Sequence, residues 1–202
     1  PTSGEILLDG TPLTRLNPSE LRAHIGMVPQ DPFLFSDTIE RNIGLGLAGS
    51  TVDHASEAEH VQDAAKVAQL HEQILEFPDR YRTMLGERGI NLSGGQKQRA
   101  TLARALARDP AVLVLDDALS AVDTHTEAAI LGDLRGAVRG TTSFIISHRV
   151  SAVMHADQIL VLDEGRIVER GRHADLIAAE GTYARLLRRQ LLEEGLEKAV
   201  VG

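Results

Sequence analysis

Apolar and polar positions along the chain switch between two periods, and the switches mark out its elements. Short apolar runs bounded by turn residues stand at 5–8, 25–29, 111–115, 142–146, 158–162 and 166–169. Runs of that length predict strands, and those at 111–115 and 142–146 are of the kind buried within a parallel sheet. Between them the spacing turns helical. Asn17, Pro18 and Glu20 predict a short helix ending near His24, and Thr38 caps another that starts at Ile39. From residue 56 or 57 to 76, Val61, Ala64, Ala65, Ala68 and Leu75 share one face, which predicts a helix in two pieces. Leu102, Ala103, Leu106 and Ala107 lie on a further helix that stops before Pro110. Helices at 125–135, 174–179 and 183–194 complete the pattern, and the tail from Gly195 is expected to fray.

The helix before Pro110 has an unusual start. Ser93 with Gln96 three positions on forms a capping box, and the first helical residues are Gly94 and Gly95. Glycines leave the free N–H groups of a helix tip open to close approach, and such a tip favours an anion, a phosphate above all. The strand after Pro110 ends in Asp116 and Asp117. Ligands of open α/β sheets sit at the carboxyl ends of strands, so chemistry is expected there. Two other strand ends carry polar residues, Gln30 after the run at 25–29 and His148 after that at 142–146. His54, His60 and His71 share no metal-ligand spacing and are expected to be solvated.

Composition removes several classes. With 202 residues the chain can bury a real core. A formal net charge of −8 argues against nucleic acid as a partner, and no apolar run approaches the roughly 18 residues of a membrane span. Cysteine is absent, which excludes disulfides and suits the cytosol.

Taken together, Leu92-Ser93-Gly94-Gly95-Gln96, the strand ending in Asp116-Asp117 and the following Ser120-Ala121-Val122-Asp123 closely resemble the signature motif, Walker B strand and D-loop of ATP-binding cassette (ABC) ATPases. The stretch around Gln30 resembles the Q-loop, that around Glu87 and Arg88 the X-loop of exporters, and that around His148 the H-loop. The resemblance implies an α/β fold. It has a RecA-like P-loop NTPase core with a mainly parallel sheet, residues 1–36 and 110–202, and an inserted all-α signature subdomain, residues 37–109. It implies ATP and Mg²⁺ as cofactors, with Asp116 and Gln30 serving the metal, Gln30 and Asp117 the attacking water and His148 the γ-phosphate. The signature would complete the site of a second nucleotide-binding domain. A transmembrane domain, upstream on the same chain, would hold the assembly at the cytoplasmic face of the cell membrane.

Two departures bear on mechanism. The G-x-x-x-x-G-K-[ST] phosphate loop is absent and the sequence opens on Pro1, so the chain is expected to be an inactive piece of a longer protein. Asp117 stands where efficient family members have Glu. Its carboxylate is withdrawn by roughly 1.5 Å, one carbon–carbon bond, and a shift of about 1 Å can cost on the order of 10²-fold in rate. Slow hydrolysis at this site, as in the degenerate subunit of a heterodimeric exporter, is therefore expected. A soluble ABC ATPase of DNA repair or translation and a non-hydrolysing, ATP-held dimerisation module are the alternatives.

Overall fold

The computed structural model describes residues 2–48, 54–86 and 91–201, which form two compact units, Pro1–Phe144 and Ile145–Gly202. The first unit opens on a hairpin of β1 (Leu7–Leu8) and β2 (Thr11–Pro12), shorter than the run at 5–8 predicts. Its turn holds Asp9 and Gly10 at φ of 47° and 77°, the left-handed pair that an Asp-Gly hairpin turn requires. In α1 (Pro18–Ala23) the Asn17 side chain accepts the Ser19 N–H at 2.9 Å, one residue short of Glu20.

The central sheet has the order β3-β4-β5, from β3 (Ile25–Val28), β4 (Val112–Asp116) and β5 (Thr142–Ile146). β3 and β4 run parallel, with Gly26 opposite Leu113 and Val28 opposite Leu115. These four residues are buried. They face α5 (Gly94–Ala107), which passes so close that a Cβ on Gly26 would lie 2.9 Å from the Ala105 carbonyl oxygen. The opposite face departs from the expectation of a doubly covered sheet. Met27 is 55% and Phe144 56% exposed, and every residue of β5 except Ile145 is exposed. A strand is buried on both faces only when elements cover both, and α5 covers one.

A helical layer of α2 (Ile39–Gly44), α3 (His54–Val67) and α4 (His71–Glu76) surrounds α5. Ile39, Ile43, Val61, Ala65 and Leu102 are its buried contacts. The predicted break of the long helix falls at residues 68–70, where Gln69 takes φ of 52°. His71 corrects the expectation of a solvated ring, because its Nδ1 shares a 2.8 Å hydrogen bond with the Tyr81 hydroxyl. Burial, helped by nearby carboxylates, pushes that phenol up to about 12. His60 instead bonds its own helix, Nδ1 to the Ser56 carbonyl at 2.9 Å. α6 (Thr124–Ala137) completes the unit, capped by Asp123.

In the second unit, β6 (Ile159–Asp163) and β7 (Arg166–Gly171) pair antiparallel, with an irregularity between Val161 and Leu162. They are joined by α7 (Val150–Val153), α8 (His173–Ala178) and α9 (Thr182–Val201). Val150, Ile159, Val161, Leu176 and Tyr183 form the core. α9 runs past Gly195 instead of fraying there. Its Leu, Glu, Lys and Ala are good helix formers, and one interior glycine costs only about 1 kcal/mol.

Glu169 anchors α9 by accepting the free N–H groups of Thr182 and Tyr183, the latter at 3.0 Å. The Tyr183 N–H, followed by the Thr182 donors, holds the Glu169 carboxyl below its ordinary 4.5. A group with a depressed folded-state value stabilises fully above the ordinary value and less as pH falls through the folded one. Glu169→Gln should therefore lower the urea midpoint at pH 7, with the gap to wild type closing as the pH drops below 4.5. A gap that stays constant across that range would refute the assignment.

Candidate functional site

The helix tip forms as its sequence dictates. Ser93 Oγ accepts the Gln96 N–H at 3.2 Å and Gln96 Oε1 accepts the Ser93 N–H at 2.9 Å, both halves of the capping box. Gln96 Nε2 also donates to Gln73 Oε1 at 3.2 Å. Arg99, one turn along, donates to the same Gln73 oxygen at 2.8 Å and to the Gln69 carbonyl. Burial pushes this guanidinium below its ordinary value, opposed by the Asp123 charge. α4 and the turn before it thus brace the tip, leaving Ser93 and Gly94 exposed while Leu92 is buried. The intrahelical ladder leaves the Gly94 and Gly95 N–H groups without partners of their own. Gly95 has a second reason to lack a side chain, since its Cβ would lie 2.7 Å from the Ala121 carbonyl oxygen.

Ala121 belongs to the turn after β4. Asp116, half-buried, closes the strand, and Asp117 enters the left-handed region with φ of 45°. Its carbonyl accepts from Ser120 twice, the hydroxyl at 2.9 Å and the N–H at 3.2 Å. Ala118, Leu119 and Val122 are buried beneath the turn, and Asp123 caps α6 by accepting the Thr126 N–H at 2.9 Å. Because Val28 lies opposite Leu115 in parallel register, the chain emerges from β3 and β4 at one edge. Gln30, exposed, and Asp117 each stand two residues beyond that pair. His148 is exposed two residues past β5, in the second unit. Glu87 and Arg88 lie outside the described residues.

The loop after Gln30 is held by residues that the apolar pattern overlooks. Asn42, 1% exposed on α2, accepts the Phe35 N–H at 2.8 Å and donates to the Phe35 and Thr38 carbonyls at 2.9 and 3.0 Å. Arg104 of α5 donates to Asn42 Oδ1 at 3.1 Å, to the Asn42 carbonyl at 2.7 Å and to the Phe33 carbonyl at 2.9 Å. Its guanidinium lies 5.9 Å from the Phe35 ring centroid, and Phe33 packs edge-on against Phe35. Phe33 and Phe35 remain 62% and 49% exposed on the wall of a groove that also meets Leu85, Asn91, Leu92 and Lys97. A polar residue amid helix-spaced apolar ones, such as Asn42 between Ile39 and Ile43, was the signal available. Among the described residues, no group of three or more metal-ligating side chains gathers, and no helix is long and apolar enough to cross a membrane.

A glycine-bared helix tip, a carboxylate-ended strand and a strand-end glutamine therefore share one unit. A family model described as ABC transporter matches residues 1–120. The chain belongs to the ABC transporter family. ATP-binding cassette sub-family B member 6 of Xenopus tropicalis is 46% identical over 187 residues, 93% of this chain and 21% of that protein. ABC multidrug transporter MDR2 of Trichophyton interdigitale (strain MR816) is 46% identical over 197 residues, 96% of this chain and 15% of that protein. A solved bacterial Atm1-family ABC exporter with ATP bound superposes with a TM-score of 0.83 at 43% identity, over 93% of this chain and 32% of that one. This ABC chain thus spans about a fifth of the length of the first relative and less of the second. Its fold is that of an ABC exporter nucleotide-binding domain, a P-loop NTPase type of α/β structure with a helical subdomain.

In this ABC fold Asn42 ties the loop after Gln30 to α5. Asn42→Ala should cost about 2–3 kcal/mol, measured by urea unfolding, because several part-buried hydrogen bonds, to the Phe35 and Thr38 backbone and from Arg104, are lost together. A loss under about 0.5 kcal/mol, typical of a surface substitution, would contradict that role.

Proposed function

We propose that this chain is the ATP-binding cassette of an exporter, coupling ATP binding and hydrolysis to transport across a membrane, with hydrolysis slow at its own carboxylates. The observation that carries the reading is the exposure of Ser93 and Gly94 at a braced helix tip. Such a tip can meet phosphates that another molecule holds, and the capping box keeps its N–H groups directed outward. Leu92, Ser93, Gly94, Gly95 and Gln96 would then complete the site of a second cassette, one that carries Glu after its Walker B aspartate.

The parallel register supports a metal role for Asp116 and Gln30, which contribute oxygen donors from neighbouring strand ends at one edge. Mg²⁺ suits so small a protein share, because it keeps waters and phosphate oxygens as its other ligands. When bound, it would neutralise charge on the β- and γ-phosphates. Asp117 orients the attacking water from a carboxylate one methylene short, and His148 meets the γ-phosphate. The D-loop, Ser120 to Asp123, faces the partner cassette, and residues 37–109 act as a helical insert within a core of 1–36 and 110–202. The apolar groove at Phe33 and Phe35, with Glu87 and Arg88 nearby in sequence, receives the transmembrane domain, which holds the cassette at the cytoplasmic face of the membrane. The phosphate loop is supplied by sequence outside these residues, so the 202-residue chain alone is inactive.

The test is ATP turnover by the complete transporter with its partner cassette. With the partner's Walker B glutamate changed to glutamine, Asp117→Glu should raise turnover about 10-fold or more, and with the partner intact Ser93→Ala should lower it by a similar factor. If neither substitution alters turnover while ATP still joins two cassettes, the non-hydrolysing dimerisation module replaces this reading.

A further inference from the structure

Gln98 spends its whole side chain on one connection. It lies on α5 one turn beyond Gly94 and Gly95 and is 3% exposed. Its Nε2 donates to Ser120 Oγ at 3.0 Å, and its Oε1 accepts the Ala121 N–H at 2.9 Å. Ser120 Oγ passes the link on, donating to the Asp117 carbonyl at 2.9 Å. That carbonyl belongs to a residue at φ of 45°, a conformation that a non-glycine residue keeps only where its surroundings hold it. The signature helix therefore reaches, through one amide and one hydroxyl, the backbone of the carboxylate that follows Asp116.

A second contact fixes the same pair of elements sterically. The Ala121 carbonyl oxygen lies 2.7 Å from where a Cβ of Gly95 would be, so the turn and the helix tip are in close contact there. Helix and turn consequently move as one body. A tip that shifts when Ser93 and Gly94 seat on a nucleotide carries the turn with it, and with the turn the direction of the Asp117 side chain.

We infer that Gln98 is a positioning residue that sets the Asp117 carboxylate from the signature helix, so that engagement of this chain's tip with the partner's nucleotide is transmitted to its own site. The inference rests on the reading under Proposed function. It adds a route within one subunit between two composite ATP sites. Gln98 acts through Ser120, Ala121 and the backbone of Asp117.

The experiment uses the complete transporter with the partner cassette's Walker B glutamate changed to glutamine, so that steady-state turnover reports the Asp117 site. Gln98→Met keeps the side-chain volume and removes both hydrogen bonds, and Ser120→Ala removes only an exposed hydroxyl. Each should lower kcat about 10-fold while KM for ATP stays within about twofold, since misplaced chemistry, not binding, is lost. The double variant should be no worse than the worse single one, as for residues on one path. Ser120→Thr, which keeps the hydroxyl, should lose less kcat than Ser120→Ala. Unchanged kcat in both single variants, a rise in KM alone, or fully additive losses would overturn the inference. All variants are compared in native Asp117 and Asp117→Glu backgrounds. A failure of Asp117→Glu to raise the rate refutes the slow-site reading, whereas the Gln98 result is read as a ratio to the parent in either background.

Discussion

Helix α5 imposes the constraint on which the first unit depends, because it is buried on nearly every side while carrying polar side chains. Gln98, Arg99 and Thr101 are at most 7% exposed, and Arg104 is only partly exposed. Buried polar groups that lack partners cost far more than a made hydrogen bond returns, so each must be met by a specific neighbour. Gln98 is met by the turn after β4, Arg99 by Gln69 and Gln73, Thr101 by the Lys97 carbonyl, and Arg104 by Asn42 and Phe33. Three segments far apart in sequence, 33–42, 69–73 and 120–121, are thereby indexed to one rod.

That indexing gives the site its precision. The tip is fixed from behind by Gln73, and the carboxylate turn is fixed from the side by Gln98. The loop after Gln30 is fixed near the far end by Arg104. Apolar packing alone sets distances between elements loosely and tolerates volume-conserving exchange, whereas a bidentate amide or guanidinium tolerates neither translation nor rotation. Hydrophobic burial accounts for the proximity of α2, α3 and α5. The polar contacts account for their registration, and it is registration that a phosphate site needs.

Local features were legible from the residues alone. The capping box at Ser93 and Gln96, the left-handed Asp9-Gly10 turn and the cap at Thr38 each involve a few neighbouring residues whose chemistry permits one arrangement. The strand at 142–146 emerged with the expected limits for the same reason, and the two-piece helix before Pro78 ends at Glu76 as expected but begins two or three residues early, at His54. Where the reading failed, a distant partner decided the outcome. His71 looked solvated until Tyr81 came within hydrogen-bond reach around the turn after α4. β5 looked buried because apolar runs say nothing about whether an element covers both faces.

By itself, then, the sequence determined the longer helices and strands, the caps at Thr38 and Ser93, and which chemical groups end the strands at Gln30, Asp116, Asp117 and His148. Those properties follow from period and from short-range hydrogen bonding, both written into adjacent residues. Only the tertiary structure decided that Gly95 admits the Ala121 carbonyl and that Gln98 binds the turn carrying Asp117. Only there does the parallel register bring Gln30 to the edge where Asp116 stands. Polar side chains on a helix default to water, and no pattern of neighbours reveals the partner that a fold places against them from more than twenty residues away.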